Sequence, residues 1–535
     1  MTTTIFRNGS LFDGRRYRGQ VGAVVVTDGV VAAVVENPDA PLPEGQIVDL
    51  AGGLVLPGFV DAHVHPVQAG LERVRCDLSG AHTRADYLAI VSSYAAEHPD
   101  EPWILGGGWS MDAFPGGTPL ASDLDAVVPD RPAFLPNRDH HGAWVNSRAL
   151  ALVDSSVDPA DGRFERDDDG RPTGTVHEGA MHLFEELLPP TTAEDLRRGL
   201  LAGQSYLHSV GVTSWQDALI GNYVGIVDPG PAYRAAALSG ELVSDVVGAL
   251  WWDRTRGVEQ VPELVEKRAA YSEGRFRATS VKIMADGVFE NFTAAMQAPY
   301  LDRCGHATTN YGMPFVGPQA LAEAVEALDA EGFQIHVHAI GDAATHNALD
   351  AFAALPDPRR GRHHIAHLQI IDPSDVARFA ELGVAANLQQ LWACAEEQMV
   401  ELTLPFLGAE RARWQYPFGD LQRAGAHLCA GSDWPVSTPD PWAAIHVGVT
   451  RLVPGDGARE PFLPEQALTL EQSLAAYTSG SAWINGREDA VGQVAPGFAA
   501  DLVVTDRDPF AGPAEDIEAT RTVSTWIAGV PVYGV

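Results

Sequence analysis

Asp61-Ala-His63-Val-His65 sets two imidazoles two residues apart at the end of an apolar run that begins Pro57-Gly58-Phe59. Side chains two apart on an extended strand share a face, so His63 and His65 can reach one metal ion from a single strand. Lys282 (in VKIMADG), His336 and His338 (IHVHAIGD), His367 (IAHLQ) and Asp433 (AGSDWP) follow, each at or near the end of a further apolar run. Imidazole nitrogens and carboxylate oxygens are the donors that Zn2+ and neighbouring divalent ions take. A carboxylate in such a set can also accept a proton from water.

Alternation leaves choices open. His336 and His338 have the same parity, as do His363 and His367, while His364 falls on the opposite face from the latter two. Proximity to the strand end and the HAIGD context favour His338; His336 and His363 are then expected in the core or behind the ligands. Trp109, Asp112, Trp215, Asp217 and Glu290 are candidates to line a pocket, and Asp342 in AIGD to fix its geometry.

For these residues to meet, the strands that carry them must share one sheet. Eight candidates alternate with helix-like stretches, at 58–65, 211–218, 244–252, 279–287, 333–341, 363–370, 384–391 and 426–434. Eight strands alternating with helices are what a (β/α)8 TIM-like barrel needs, and in that fold active sites sit at the C-terminal strand ends. The helix expected in DPSDVARFAELG has Asp372 or Ser374 as its N-cap and Gly383 as its stop. The gap between the first two strands far exceeds an ordinary loop, so residues of about 70–190 are expected to form an inserted subdomain. It contains GGGWSMDAF and an acidic turn, ERDDDGRPTG, expected at the surface.

Both ends of the chain have a different texture, of short strands and turns, with Asn8-Gly9 and Asp28-Gly29 as hairpin signals. The division expected is residues 1–58 as the first part of a small β-sandwich, 59–485 as the barrel with its insert, and 486–535 as the second part. The fold class is thus α/β: a barrel, a sandwich from both termini and an inserted subdomain.

Composition excludes several classes. The 535 residues carry a formal charge of −35, which repels nucleic-acid phosphates and anionic membranes. Four widely spaced cysteines without a CxxC argue against a disulfide scaffold or a thiolate zinc site. The opening MTTTIFRNGSLFDGRR lacks the basic start and apolar core of a secretory signal, and no apolar stretch approaches the roughly 20 residues of a membrane helix. A cytoplasmic protein is expected.

PGFVDAHVHP, VKIMADGVFENFTAAMQAPY, HVHAIGD, IAHLQ and GSDWPV, in this order, resemble the motif series of the amidohydrolase superfamily. More narrowly they resemble its YtcJ-like, N-substituted formamide deformylase-like branch, the amidohydrolase type 3 family, over nearly the whole chain. The resemblance implies His63, His65, carboxylated Lys282, His338, His367 and Asp433 as metal ligands, and favours His367 over His363. A carbamate made from lysine and CO2 is an oxygen donor able to bridge two cations, and it needs the neutral amine that burial favours. His141, in DHHGAWVNSRAL, matches a family stretch at the active-site mouth and is a candidate substrate contact. A homodimer is the association the resemblance implies.

The reaction expected is hydrolysis of a C–N bond in a small amide, N-substituted formamide or cyclic amide by a metal-bridging hydroxide. Two Zn2+ ions are expected, with Mn2+, Fe2+ or Co2+ suited to the same donors. Asp433 carries the proton from water to the leaving nitrogen. The alternatives are a mononuclear deaminase, an ester or lactone hydrolase, and a non-catalytic barrel that binds a ligand. The intact donor series argues against the last.

Overall fold

The computed structural model describes residues 2–457 and 459–534. Each of the eight apolar runs overlaps a strand: β1 (Phe59–Val64), β2 (Val212–Ile220), β3 (Asp245–Trp251), β4 (Phe276–Met284), β5 (Gln334–Ala339), β6 (His364–His367), β7 (Ala385–Leu388) and β8 (Leu428–Ala430). Neighbours in sequence pair in parallel from β1 to β8. The chain just beyond β8 returns to β1: Asp433 N donates to His63 O at 2.8 Å and His65 N to Trp434 O at 2.9 Å. These bonds close the sheet into a TIM-like barrel and set Asp433 beside the HxH pair.

Residues buried on both sides of a parallel sheet read as continuous apolar runs, and this made the strands legible. The helix α1 (Pro66–Arg73) starts directly after β1, its first position held by Pro66, whose fixed φ suits a helix start. It crosses α2 (Ala193–Ser209), which Thr192 and Asp195 open with a reciprocal capping box. Glycines permit the crossing, since a Cβ on Gly70 would lie 1.9 Å from Gly199 O. The helix Val376–Leu382 ends at Gly383 in the left-handed conformation, as expected, but its N-cap is Asp375, without a side-chain cap. Asp372 instead accepts from Ser374 N and Oγ, at 2.8 and 2.7 Å, forming a turn before the helix.

Between β1 and α2 the chain builds a separate six-stranded sheet, ordered Gly162–Arg166, Pro172–Glu178, Gly142–Val145, Ala133–Pro136, Ile104–Gly107 and Cys76–Asp77. Trp109, Phe114 and Trp144 pack in one apolar cluster of this insert, and Phe134, Phe164 and Phe184 in another. The acidic turn 167–170 is exposed.

Two further sheets use the chain ends. A four-stranded one holds Val30–Val35, Ala23–Thr27, Thr3–Arg7 and Gln46–Asp49; a six-stranded one joins Leu54–Pro57, Gly9–Phe12 and Tyr17–Val21 to Leu502–Thr505, Thr522–Ile527 and Val530–Tyr533. Phe6, Val24, Val55, Leu502 and Trp526 share one core between them. Asp28-Gly29 turns a hairpin, both residues at positive φ. Asn8-Gly9 does not: it carries the chain from the first sheet to the second.

Candidate metal centre

The six donor side chains line one cavity of about 70 Å³ at the C-terminal mouth of the barrel. Its centre is Asp433, whose Oδ1 lies 3.0 Å from His63 Nε2 and 3.0 Å from His65 Nε2, with Oδ2 3.8 Å from His367 Nδ1. Lys282 Nζ sits 3.4 Å from His63 Nε2, and the His338 and His367 rings are 4.4 Å apart between centroids.

Burial sets the ionisation of this cluster. It drives His338 and His367 well below the ordinary imidazole range, and with the Lys282 charge it takes His63 down to about 3. These rings are therefore neutral, the form that binds a cation. Burial brings Lys282 down to about 8, towards the free amine that carbamate formation requires. Asp433 goes the other way: burial opposes its charge, but His63, His65 and His367 hold it well below the usual carboxylate range. The residues present fit a metal. His63, His65 and Asp433 offer ligand atoms within 4.8 Å of one another, and the buried Nδ1 atoms of His65 and His367 have no hydrogen-bond partner.

The side chains beneath fix these rings. His336 Nε2 lies 2.8 Å from His63 Nδ1, which leaves His63 Nε2 for the cavity. Asp61, fully buried, accepts from His63 N at 3.0 Å and from Ser432 Oγ at 2.6 Å, tying β1 to the chain after β8. Asp286 accepts from Ala295 N, Ile340 N and Gly341 N at 2.8–3.0 Å and so holds the loops after β4 and β5 together; Asp342 accepts from Gln297 N and Ala343 N, both at 3.0 Å.

Parity fails on β6. His363 points out of the barrel, where it stacks on Phe352 and lies 3.4 Å from Asp329. His364 points in, its ring 4.0 Å from that of His336 and its Nδ1 3.2 Å from Asn387 Nδ2. His367 escapes the alternation because its φ is +78°, which turns the ring into the cavity and flat against Trp392. Asp433 has φ +55°. A left-handed backbone at such residues costs about 1–3 kcal/mol each, and sites where it persists are over-determined by their surroundings.

The small cavity shares Asp139, Val288, Ile340, Trp392 and Val436 with a larger one of about 650 Å³. Asp112 and Glu290 line the larger cavity; Asp112 accepts from Ser110 Oγ and Glu290 from Thr403 Oγ1 at 3.2 Å. His141 lines the small one and contacts Glu178, Nδ1 to Oε2 at 2.9 Å; burial opposes its charge, yet the carboxylate carries it up to about 9. Three candidates lie elsewhere. Trp109 is in the core of the insert, its indole N–H on Leu135 O at 2.7 Å, where apolar packing claims it. Trp215 is buried in the barrel wall with its N–H on Tyr233 Oη. Asp217 accepts from Tyr233 Oη at 2.8 Å and lines a further small cavity with His65, Gln68, Leu219 and Tyr223, four residues that also line the donor cavity. Burial raises its carboxyl to about 6. His140 and Glu178 were not singled out in the sequence, although the DHHG doublet was a signal for the first.

Gly431 passes so close to β1 that a Cβ would lie 2.5 Å from His63 N. Gly431→Ala is therefore expected to destabilise the protein by about 1–3 kcal/mol through overpacking and to disturb His63. Denaturant unfolding measures this, and an unchanged midpoint would refute the contact.

Residues 46–533 match the family model described as "Amidohydrolase family". The chain is 27% identical over 538 residues to the protein YtcJ of Bacillus subtilis (strain 168), covering 99% of each. It is 25% identical over 543 residues to N-substituted formamide deformylase of Arthrobacter pascens, covering 96% of this chain and 94% of that one. An uncharacterized metal-dependent hydrolase from Pyrococcus furiosus, solved by crystallography, superposes with a TM-score of 0.70 at 27% identity, over 95% of this chain and 99% of that one. Among the described residues, no helix is long and apolar enough to cross a membrane.

Proposed function

Because the chain belongs to the amidohydrolase family and is a metal-dependent hydrolase of that superfamily, we propose that it hydrolyses a C–N bond of a small amide, an N-substituted formamide or a cyclic amide. The observation that carries this reading is the convergence of six donor side chains, from five strands, on one cavity that opens into a space large enough for a small molecule. The likeness to a formamide deformylase supports the choice of a C–N bond.

In this reading His63, His65, Lys282, His338, His367 and Asp433 hold two divalent ions, with Zn2+ the ion best matched to the donors and Mn2+, Fe2+ or Co2+ also suited. Lys282 serves as its carbamate. When bound, such a metal acts as a Lewis acid on a carbonyl oxygen and lowers the pKa of water to about 7. Asp433 accepts the proton of the attacking water on a carboxylate oxygen and delivers it to the leaving nitrogen. His336 and Asp61 keep His63 in the orientation that Asp433 requires. Trp392, stacked on His367, and the insert above it keep bulk water from the reacting atoms, while Asp112, Glu290 and His141 meet the substrate. Four free cysteines, three of them buried, suit work in the cytoplasm.

Metal analysis of active protein is expected to find about two ions per chain. A screen of metal-loaded enzyme against N-formyl amines, N-acyl amino acids, cyclic ureas and lactones should give turnover of C–N substrates. Turnover confined to lactones would replace this reading with an ester hydrolase, and a single ion with full activity would replace it with a mononuclear site.

A further inference from the structure

We infer that the insert completes the reacting site: His141 engages the scissile group through Nε2, and Glu178 is its positioning residue. This rests on the hydrolase reading above. Both residues belong to the insert sheet and its loops, outside the barrel that carries the metal donors.

The geometry around His141 is built rather than incidental. Its Nδ1 lies 3.1 and 2.9 Å from the two carboxylate oxygens of Glu178. Its own N–H donates to Asp139 Oδ1 at 2.9 Å, and its carbonyl accepts from Glu178 N and Asn291 Nδ2, each at 3.0 Å. Glu178 Oε1 also accepts from Thr293 Oγ1 at 2.8 Å. Ring, backbone and partner are thus clamped by two strands of the insert and by the barrel loop after β4. With Nδ1 committed to a carboxylate, Nε2 is the ring nitrogen left for a molecule in the cavity, beside a His338 ring 5.7 Å away between centroids.

Two features of the backbone exist to permit this pair. Glu178 takes φ +50°, a left-handed conformation that a glutamate rarely adopts. At Gly287, a Cβ would lie 2.2 Å from Thr293 Oγ1 and 2.8 Å from Glu178 Oε1, so the loop after β4 makes room for the clamp. A histidine held in one orientation by a buried carboxylate, its other nitrogen turned to the reacting atoms, is the arrangement by which hydrolytic sites orient an imidazole. A salt bridge serving only stability has no need of a partner that lines the cavity.

The test uses the full-length, metal-loaded enzyme with Glu178→Gln, His141→Asn and the double variant. Metal content is expected to stay at the wild-type level in all three. Turnover should fall about 10–100-fold in Glu178→Gln, as for other groups that orient a site from behind, and about 10²–10⁴-fold in His141→Asn. The double variant should be no worse than His141→Asn alone, because the two act as a unit. A second readout is the calorimetric Kd of acetohydroxamate, which should weaken about tenfold in both single variants. Additive losses, loss of metal or an unchanged hydroxamate Kd would each overturn the inference. Wild-type enzyme that turns over no amide would instead sink the hydrolase reading, while the hydroxamate measurement still decides the role of the pair.

Discussion

Replacing Asp433 by Asn is expected to lower kcat by about 10²–10⁴-fold while the protein stays folded. The substitution keeps the shape of the side chain but removes a negative charge that faces three imidazoles, at 3.0, 3.0 and 3.8 Å. It also removes the carboxylate proposed to take a proton from water and return it to a leaving nitrogen. Asparagine tolerates the left-handed backbone at this position better than most residues, so the variant reads the loss of charge: an alanine there would change charge and backbone together. The measurement is kcat alongside metal content and the unfolding midpoint. Retention of more than half of the activity would show that another group carries the proton.

Lys282→Ala is the second variant with a large expected effect. Groups that merely orient a metal ligand cost 10–100-fold when removed, so loss of a bridging donor is expected to cost more than about 100-fold in activity and to reduce the bound metal. The environment supports an oxygen donor at this place. The amine is fully enclosed, burial brings it down to about 8, and its nitrogen lies 3.4 Å from His63 Nε2. A short carboxylate such as formate or acetate, able to occupy the space left by the side chain, is then expected to restore part of the activity and the metal. Full activity of Lys282→Ala without added carboxylate would end the carbamate model, and mass spectrometry of the native protein for an added CO2 checks it independently.

The barrel was legible in the sequence because a strand with both faces buried leaves a continuous apolar signature, and all eight such runs overlap strands. The residues proposed as donors were legible because they stand at or near the ends of those runs. What was not legible depends on departures from regular geometry. His363, His364 and His367 illustrate it: alternation assigns their faces wrongly because the strand ends at His367 and its φ is positive, a fact no spacing reveals. Trp109 misleads for another reason. An aromatic beside glycines looks like a binding surface, yet in a sheet with its own core it is needed for packing. Asp286, Glu178 and His140 are not legible in the sequence because each acts through contacts with residues distant in the chain, as in the bond from Thr293 to Glu178 and the approach of His140 to Glu72.

The sheet shared by the two chain ends has a consequence for synthesis. Leu54–Pro57 pairs with Leu502–Thr505, and Leu54 N donates to a side chain 451 residues further along. At translation rates of about 5–20 residues per second, the early strand waits roughly 20–90 s on the ribosome before its partner is made. During that interval the edge that Leu502–Thr505 will cover is open to other extended segments, and Leu54, Val55 and Leu56 are apolar. Nascent chains halted before residue 502 should therefore bind chaperones that hold apolar strands, and release from them should follow emergence of the last sheet, well after the proposed metal donors of the barrel have all been synthesised.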